Sequence, residues 1–300
     1  MSRLEPAPAG LSGTRRLFLM REDEHALGAF KWRGALPALE VFRREGAEAV
    51  VTASTGNHGA ATAWAAERLG LRAVVYAPEG SSRTKLDLVA SFGAELRETG
   101  SHFDQAKDEA RAFADRRGIP FFEDGAERSQ YDGYRSIAAE LLDQVAEQPA
   151  AVLVPVGNGA LLGGIGLELC ERSPTTLRIG VAAKEAPAMV ESWEAGEPVE
   201  SNRSATIADG LAVRVPVPLG VEVLGEIASR MLLVSERKIA RAIVAYADAG
   251  IRAEGAAAAA LGALPQLEAL DGPVVLIVTG RNIDEELLTR ARERPDSFRD

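Results

Sequence analysis

The stretch LVPVGNGALLGGIG, Leu153 to Gly166, runs from an apolar segment into glycines at 157, 159, 163, 164 and 166. The apolar part reads as a buried strand and the glycines as a loop that opens a helix, which is how a chain turns backbone N–H groups toward a phosphate. A dinucleotide, a nucleoside triphosphate or a small phosphorylated cofactor would each suit such a turn. The triphosphate is excluded, because no Gly-Lys-Ser/Thr closes the loop. The dinucleotide stays open: Gly157, Gly159 and Gly163 give G-x-G-x-x-x-G, and Glu185 follows the next strand at about the distance of a ribose-binding acid.

Outward from this turn, short apolar runs alternate with segments of helical period. Strands are expected at 17–20, 49–53, 73–77, 151–156, 178–183, 231–234 and 273–279. Helices are expected over 31–45, 58–69, 84–92, 103–117, 129–147, 162–172, 236–249 and 253–264. The strands lack strict alternation, so both faces should be covered, as in a parallel sheet of an α/β protein. Residues 196–220, rich in Pro and polar side chains, read as surface loop with little regular structure. The apolar ATIADGLAVRVP within that segment should pack back near a site.

Composition narrows the class. With 300 residues, 46% of them hydrophobic, the chain can bury one large core or two smaller ones. A net charge of −10 argues against nucleic acid, whose phosphates call for clustered Lys and Arg. No apolar run reaches the length of a membrane span and the N-terminus has no signal core, so a cytoplasmic location and no membrane partner are expected. A single cysteine, Cys170, excludes an intrachain disulfide and a cysteine metal cluster, and its setting in LELC suggests a small buried core residue. His25 and His102 sit in polar surroundings and read as loop or surface residues. Three histidines without ligand spacing make a zinc site improbable.

Two further constellations lie upstream. GAFKWRGA, residues 28–35, sets Lys31 where a helix begins; the helix dipole and burial both disfavour an ammonium there, and a neutral amine is what imine formation requires. STGNHG, residues 54–59, follows a strand and starts a helix, so Ser54, Thr55 and the local N–H groups offer donors to a carboxylate. Asn57 can donate to a phenolate-like oxygen.

GAFKWRGA, STGNHG, VPVGNGALLGG (154–164), TIADGLAVRVP (206–216), AEGAAAAAL (253–261) and VTGRN (278–282) occur in the order found in pyridoxal-phosphate enzymes of the tryptophan-synthase-β fold (fold type II). The chain most resembles the threonine/serine dehydratase and serine racemase group, over residues 16 to 284. The resemblance implies two α/β domains with mostly parallel sheets, a large one from 1–47 and 128–300 and a small inserted one from 48–127, with pyridoxal 5'-phosphate in the interdomain cleft. Lys31 would form the Schiff base and act as base and acid at the substrate Cα, with Phe30 beside the cofactor. Gly157, Asn158, Gly159, Ala160 and Leu161 would hold its phosphate, Asn57 its 3-oxygen, and Thr279 would face its ring nitrogen. Ser54, Thr55, Asn57 and His58 would hold the substrate carboxylate; for His58 a positioning role is preferred to that of a general base. Glu254 reads equally as a helix-start charge or as a polar group near the cofactor.

The implied activity is β-elimination from threonine or serine, giving a 2-oxo acid and ammonia, by a homodimer. The alternatives are a threonine-synthase-like lyase or replacement enzyme, a racemase using the Thr55 hydroxyl, a non-catalytic pyridoxal-phosphate-binding protein, and a nicotinamide-dependent oxidoreductase. Departures from the group are Ala29 in place of Ser, Asn158 and Ala160 in place of glycines, Thr55 in place of Ala or Ser, and a short N-terminus without the usual Thr-Pro-Leu loop. Lys184 stands where a related acid binds a divalent cation, so no metal is expected there, its ammonium substituting for the ion's charge. No C-terminal regulatory domain is expected.

Overall fold

The computed structural model describes residues 1–300, the side chain of Thr84 excepted. In chain order the elements are β1 (Arg3–Pro6), α1 (Ala9–Ser12), β2 (Leu17–Arg21), α2 (Trp32–Arg44), β3 (Ala49–Ala53), α3 (Asn57–Leu69), β4 (Arg72–Ala77), α4 (Arg83–Ala90), β5 (Glu95–Glu98), α5 (Phe103–Arg117) and α6 (Arg128–Gln144). They continue as β6 (Ala151–Pro155), α7 (Ala160–Arg172), β7 (Leu177–Ala183), α8 (Ala188–Ala195), α9 (Pro218–Ile227), β8 (Arg230–Val234), α10 (Glu236–Asp248), α11 (Gly255–Ala263), β9 (Val274–Val278) and α12 (Glu285–Glu293). Two compact units result: Met1–Phe30 with Tyr134–Asp300, and Lys31–Gly133.

The first unit is built on a six-stranded sheet of order β1-β2-β9-β6-β7-β8, parallel except for β1. Its inner strands AVLVP and VVLIV are buried at every residue, which is why they read as unbroken apolar runs: helices cover both faces. Helix α11 is buried over its full length and carries mostly alanine, so it has no polar face to present and can lie close to its neighbours. A Cβ on Gly262 would come within 3.0 Å of the Lys238 carbonyl on α10.

The second unit has a three-stranded parallel sheet, β3-β4-β5, with β3 wholly buried. Phe122 fills the space under α2 and α3, its ring 6.1 Å from Phe42 and 4.7 Å from His58. Pro37 within α2 has no N–H to give to the Arg33 carbonyl, and Gly133 of α6 comes so close to that carbonyl that a Cβ would lie 2.0 Å from it.

Several elements carry no strong sequence signal. β5 (ELRE) is a charged edge strand and β1 (RLEP) an antiparallel edge strand that contains a proline, so neither shows an apolar run. α12 is a polar helix with Ala291 as its one buried residue. Within the segment expected to be loop, residues 196–217 hold only the short turn Asp209–Leu211, but Pro218 already opens α9, where its fixed φ and missing N–H suit a first helical position. Cys170 corrects the expectation of a core residue: it lies on the exposed side of α7, while Leu169 takes the buried position.

Candidate active site

Each unit gathers part of the residues singled out from the sequence. In the second unit Lys31 is the residue on which α2 begins, its carbonyl accepting from Gly34 N at 3.2 Å and Ala35 N at 3.0 Å. Its side chain is 16% exposed, and Nζ donates to Asp124 Oδ2 at 2.5 Å. The start of the helix was expected to favour a neutral amine; the structure instead supplies an anionic partner from the loop before α6.

Asp124 is itself held. Gln130 Nε2 donates to its Oδ1 at 3.3 Å, and His58 Nδ1 lies 3.6 Å from the same oxygen. Burial works against ionisation of this carboxyl, but Lys31, His58 and Gln130 outweigh it and hold the group at about 2. His58 Nε2 is 3.1 Å from Thr52 Oγ1 and 3.3 Å from the Phe122 carbonyl. Thr52 gives its own hydrogen to that carbonyl at 2.7 Å, so the neutral imidazole carries its proton on Nε2. Burial lowers the His58 pKa and the Lys31 charge adds to this, against the pull of Asp124. The ring is thus turned into the core, and what His58 can offer a carboxylate is its N–H in the first turn of α3.

The STGNHG turn is compact. Ser54 Oγ accepts from Gly56 N at 3.1 Å, and a Cβ on Gly59 would meet the Ser54 side chain and Val75 at 3.2 Å, which brings the helix start against β3 and β4. Thr55 and Asn57 are half-buried at the same helix end. First-turn N–H groups of a helix have no intrahelical acceptor, so this turn is suited to an anion.

In the first unit, β6 ends and Gly157, Asn158 and Gly159 lead into α7, whose N-terminus has no side-chain cap. Gly159 has φ +89°, and a Cβ on Gly157 would sit 2.5 Å from the Gly210 carbonyl. Both positions therefore need glycine, the one for its backbone and the other for room. Asn158 has no positive φ, so asparagine replaces glycine there without backbone strain. Gly210 belongs to TIADGLAVRVP, and this contact is why that apolar loop segment is fixed: it closes one wall of the turn. A Cβ on Gly255 would in turn meet the Ile207 carbonyl at 2.5 Å, and Glu236 Oε2 accepts from Ile207 N at 2.7 Å.

Residues 27–30 are laced to the VTGRN segment. Phe30 N donates to Thr279 O at 3.1 Å, Arg281 N to Gly28 O at 2.8 Å, and Asn282 Nδ2 to Leu27 O at 2.9 Å. Thr279 is 1% exposed, and its Oγ1 is buried with no hydrogen-bond partner in the protein. A buried hydroxyl is rarely left so, and a ligand atom would satisfy it. Glu254 precedes α11, its N–H bound to Gly280 O at 3.0 Å. Its carboxylate lies so near Gly280 that a Cβ there would be 2.7 Å from Oε1. The Phe30 ring stacks at a tilt on Tyr134, 5.2 Å between centroids.

Other sequence candidates fall elsewhere. Glu185 pairs with Arg299 at 3.4 Å. Lys184 is exposed and its Nζ donates to the Asp300 carbonyl at 3.2 Å. His25 bonds its own turn, its Nδ1 accepting from Leu27 N, and His102 is exposed at the start of α5. Asp124, Gln130 and Thr52 were not anticipated: FFEDGAERSQ has no periodicity or motif that singles out its acid, which only the fold brings to Lys31.

A dinucleotide would need its ribose acid, yet Glu185 is engaged by an arginine. A small phosphorylated aldehyde needs less: an uncapped helix start lined by glycine, a hydroxyl for a ring nitrogen, and a sheltered amine. Gly157–Leu161, Thr279 and Lys31 provide these, so the residues present fit pyridoxal phosphate. The chain belongs to the family described as pyridoxal-phosphate dependent enzyme, whose profile matches residues 3–280. This removes the nicotinamide reading. Among curated relatives, the L-threonine ammonia-lyase of Geobacter sulfurreducens is 33% identical over 282 residues, covering 93% of this chain and 70% of that protein. Among solved structures, the processed form of threonine deaminase isoform 2 from Solanum lycopersicum superposes with a TM-score of 0.90 at 29% identity, over 97% of this chain and 87% of that one. A pyridoxal 5'-phosphate-dependent aspartate racemase superposes with a TM-score of 0.88 at 26% identity, over 96% and 92%. No helix among the described residues is long and apolar enough to cross a membrane.

Proposed function

We propose that the chain is a pyridoxal-phosphate-dependent ammonia-lyase that eliminates water from a β-hydroxy-α-amino acid, threonine or serine, and releases a 2-oxo acid and ammonia. The observation that carries this reading is the sheltered Lys31 amine in a chain 33% identical to an L-threonine ammonia-lyase. Lys31 is the covalent attachment point and the group that moves the Cα proton. The backbone N–H groups of Gly157, Asn158, Gly159, Ala160 and Leu161 take the phosphate, Asn57 the 3-oxygen, and Phe30 and Glu254 flank the ring.

Ser54, Thr55, Asn57 and the His58 N–H orient the substrate carboxylate, which fixes the Cα–H bond relative to the lysine. The cofactor, when bound, supplies an electron sink for charge developing at Cα. Thr279 tunes that sink: a neutral hydroxyl does not hold a proton on the ring nitrogen as a carboxylate would, so negative charge at Cα is better discharged by expelling the β-hydroxyl. Thr55 supports a second reading, racemisation, since its hydroxyl can deliver a proton at Cα; the likeness to an aspartate racemase favours testing it.

We further assign the protein to the cytoplasm as a homodimer, with a large cofactor-binding domain and a smaller inserted one, and with no metal at Lys184. Two measurements test the activity. Borohydride reduction of the loaded protein followed by peptide mass mapping should place the pyridoxyl group on Lys31. A panel of amino acids assayed for 2-oxo acid and for the opposite enantiomer, with and without Mg²⁺, should show 2-oxo acid from threonine or serine. Turnover of the enantiomer alone would transfer the proposal to racemisation.

A further inference from the structure

We propose that Asp124 is the counter-ion of Lys31, holding positive charge on this nitrogen both before and after the cofactor is attached. The inference rests on the reading of Lys31 as the attachment point. Three observations support it. The carboxylate is 2.5 Å from Nζ, in direct charge-assisted contact. It is fixed by Gln130, whose Oε1 also accepts from Gly125 N at 2.8 Å, so loop and side chain are locked together. And the pair is sheltered, the lysine side chain 16% and the aspartate 22% exposed, where solvent screens a charge less than at the surface.

The neighbouring charges do not displace this pairing. Burial lowers the pKa of His58 on α3, against the pull of Asp124. Glu123, next in sequence, is bound by Lys107 and by Arg111 Nη2, the latter at 2.6 Å, both from α5. Lys85 of α4 approaches the Gly56 turn, its Cδ 3.9 Å from where a Cβ on Gly56 would be.

Held at about 2, the Asp124 carboxyl is ionised at neutral pH and faces Nζ as an anion. Attachment of an aldehyde forms a C=N bond at Nζ and expels the aldehyde oxygen as water. The ammonium first gives one proton to solvent, and the linked nitrogen takes one back, so charge at Nζ is the same at start and end. Asp124 opposes the first step and favours the last. It acts through Lys31 and is a positioning residue.

The test uses D124N, which keeps the shape and the Gln130 contact but not the charge. In cofactor-free protein, acetylation of Lys31 at pH 8, read by peptide mass spectrometry, should rise roughly tenfold, because Nζ no longer faces a carboxylate. In loaded protein, the pH midpoint of the visible absorbance change should fall by about 1–2 pH units. D124E should restore the parental behaviour in both measurements. An unchanged acetylation rate and midpoint in D124N would overturn the inference. Should D124N not fold, D124S carries the same test. Borohydride mapping is run first: an adduct on another lysine refutes the reading of Lys31 itself, whereas an adduct on Lys31 with an unmoved midpoint refutes only the counter-ion.

Discussion

The Lys31–Gly133 unit and the unit containing Gly157 fix their candidate site residues by different means. The former uses charged and polar side chains in contact, Lys31 with Asp124 and His58 with Thr52. The latter uses backbone: a glycine turn that owes its shape to a 2.5 Å approach to Gly210 and presents uncapped N–H groups. Side chains that pair can titrate, so the first arrangement should respond to pH; a backbone cradle has no charge to lose and should respond to added volume.

The largest effect is expected at the side-chain end of this contrast. K31A should lower turnover by at least about a thousandfold, because nucleophile and proton carrier are lost together. Circular dichroism should still show a folded chain, although Asp124 is left without its cation. If turnover survives, the division of labour described here is wrong.

On the backbone side, G157A places a methyl group 2.5 Å from the Gly210 carbonyl, and overpacking of that kind costs about 1–3 kcal/mol. Its melting temperature should drop and its affinity for pyridoxal phosphate, read by equilibrium dialysis, should weaken at least about tenfold. Unchanged affinity would mean that the turn does not hold the phosphate.

Acid should then act on the Lys31–Gly133 unit in two steps. The folded-state pKa of His58 lies below its unfolded value of 6.5, so its contribution is complete above pH 6.5 and declines as pH falls through the folded value. Asp124 is depressed from 3.8 to about 2, so its contribution, about 2 kcal/mol, is complete above pH 3.8 and is lost as pH falls toward 2. Denaturant midpoints measured from pH 7 to pH 2 should fall in these two windows, and D124N should lack the lower one.

Glu236 sharpens the contrast from within the backbone unit. Burial raises its pKa, with Ile207 N opposing, so its favourable contribution is present below 4.5 and is lost as pH rises through the folded value. E236Q should therefore raise the denaturant midpoint at pH 8 more than at pH 4, a dependence opposite in sign to that of Asp124. Smallest is G225A: with nothing within 4 Å of its Cβ position in α9, it should gain about 0.5–1 kcal/mol, the reverse of G157A.

Much of the molecule was legible before any coordinates. AVVTA, AVLVPV and PVVLIVT announce strands because both their faces are covered, whereas Lys31, the 54–59 turn and the 157–161 turn each allow other roles singly and gain meaning only from their order along the chain. β1, β5 and α12 were silent because elements at the periphery need no apolar run. Cys170 was misplaced by its apolar neighbours, since a single residue step, about 100° around a helix, separates the buried Leu169 from the exposed Cys170 and LELC is too short to tell the faces apart.

By itself the sequence determined the parallel α/β architecture, through local periodicity, and the cofactor, through six motifs whose order matches a known family. Only the tertiary structure decided that Asp124 meets Lys31, that His58 turns inward to Thr52, and that Gly210 walls the glycine turn at 157–159. Those are contacts between residues 93, 6 and 53 positions apart in the chain, two of them reached through loops whose course no local pattern encodes. Charge pairing and close packing of this kind depend on distances in space, which a linear pattern of residue types does not contain.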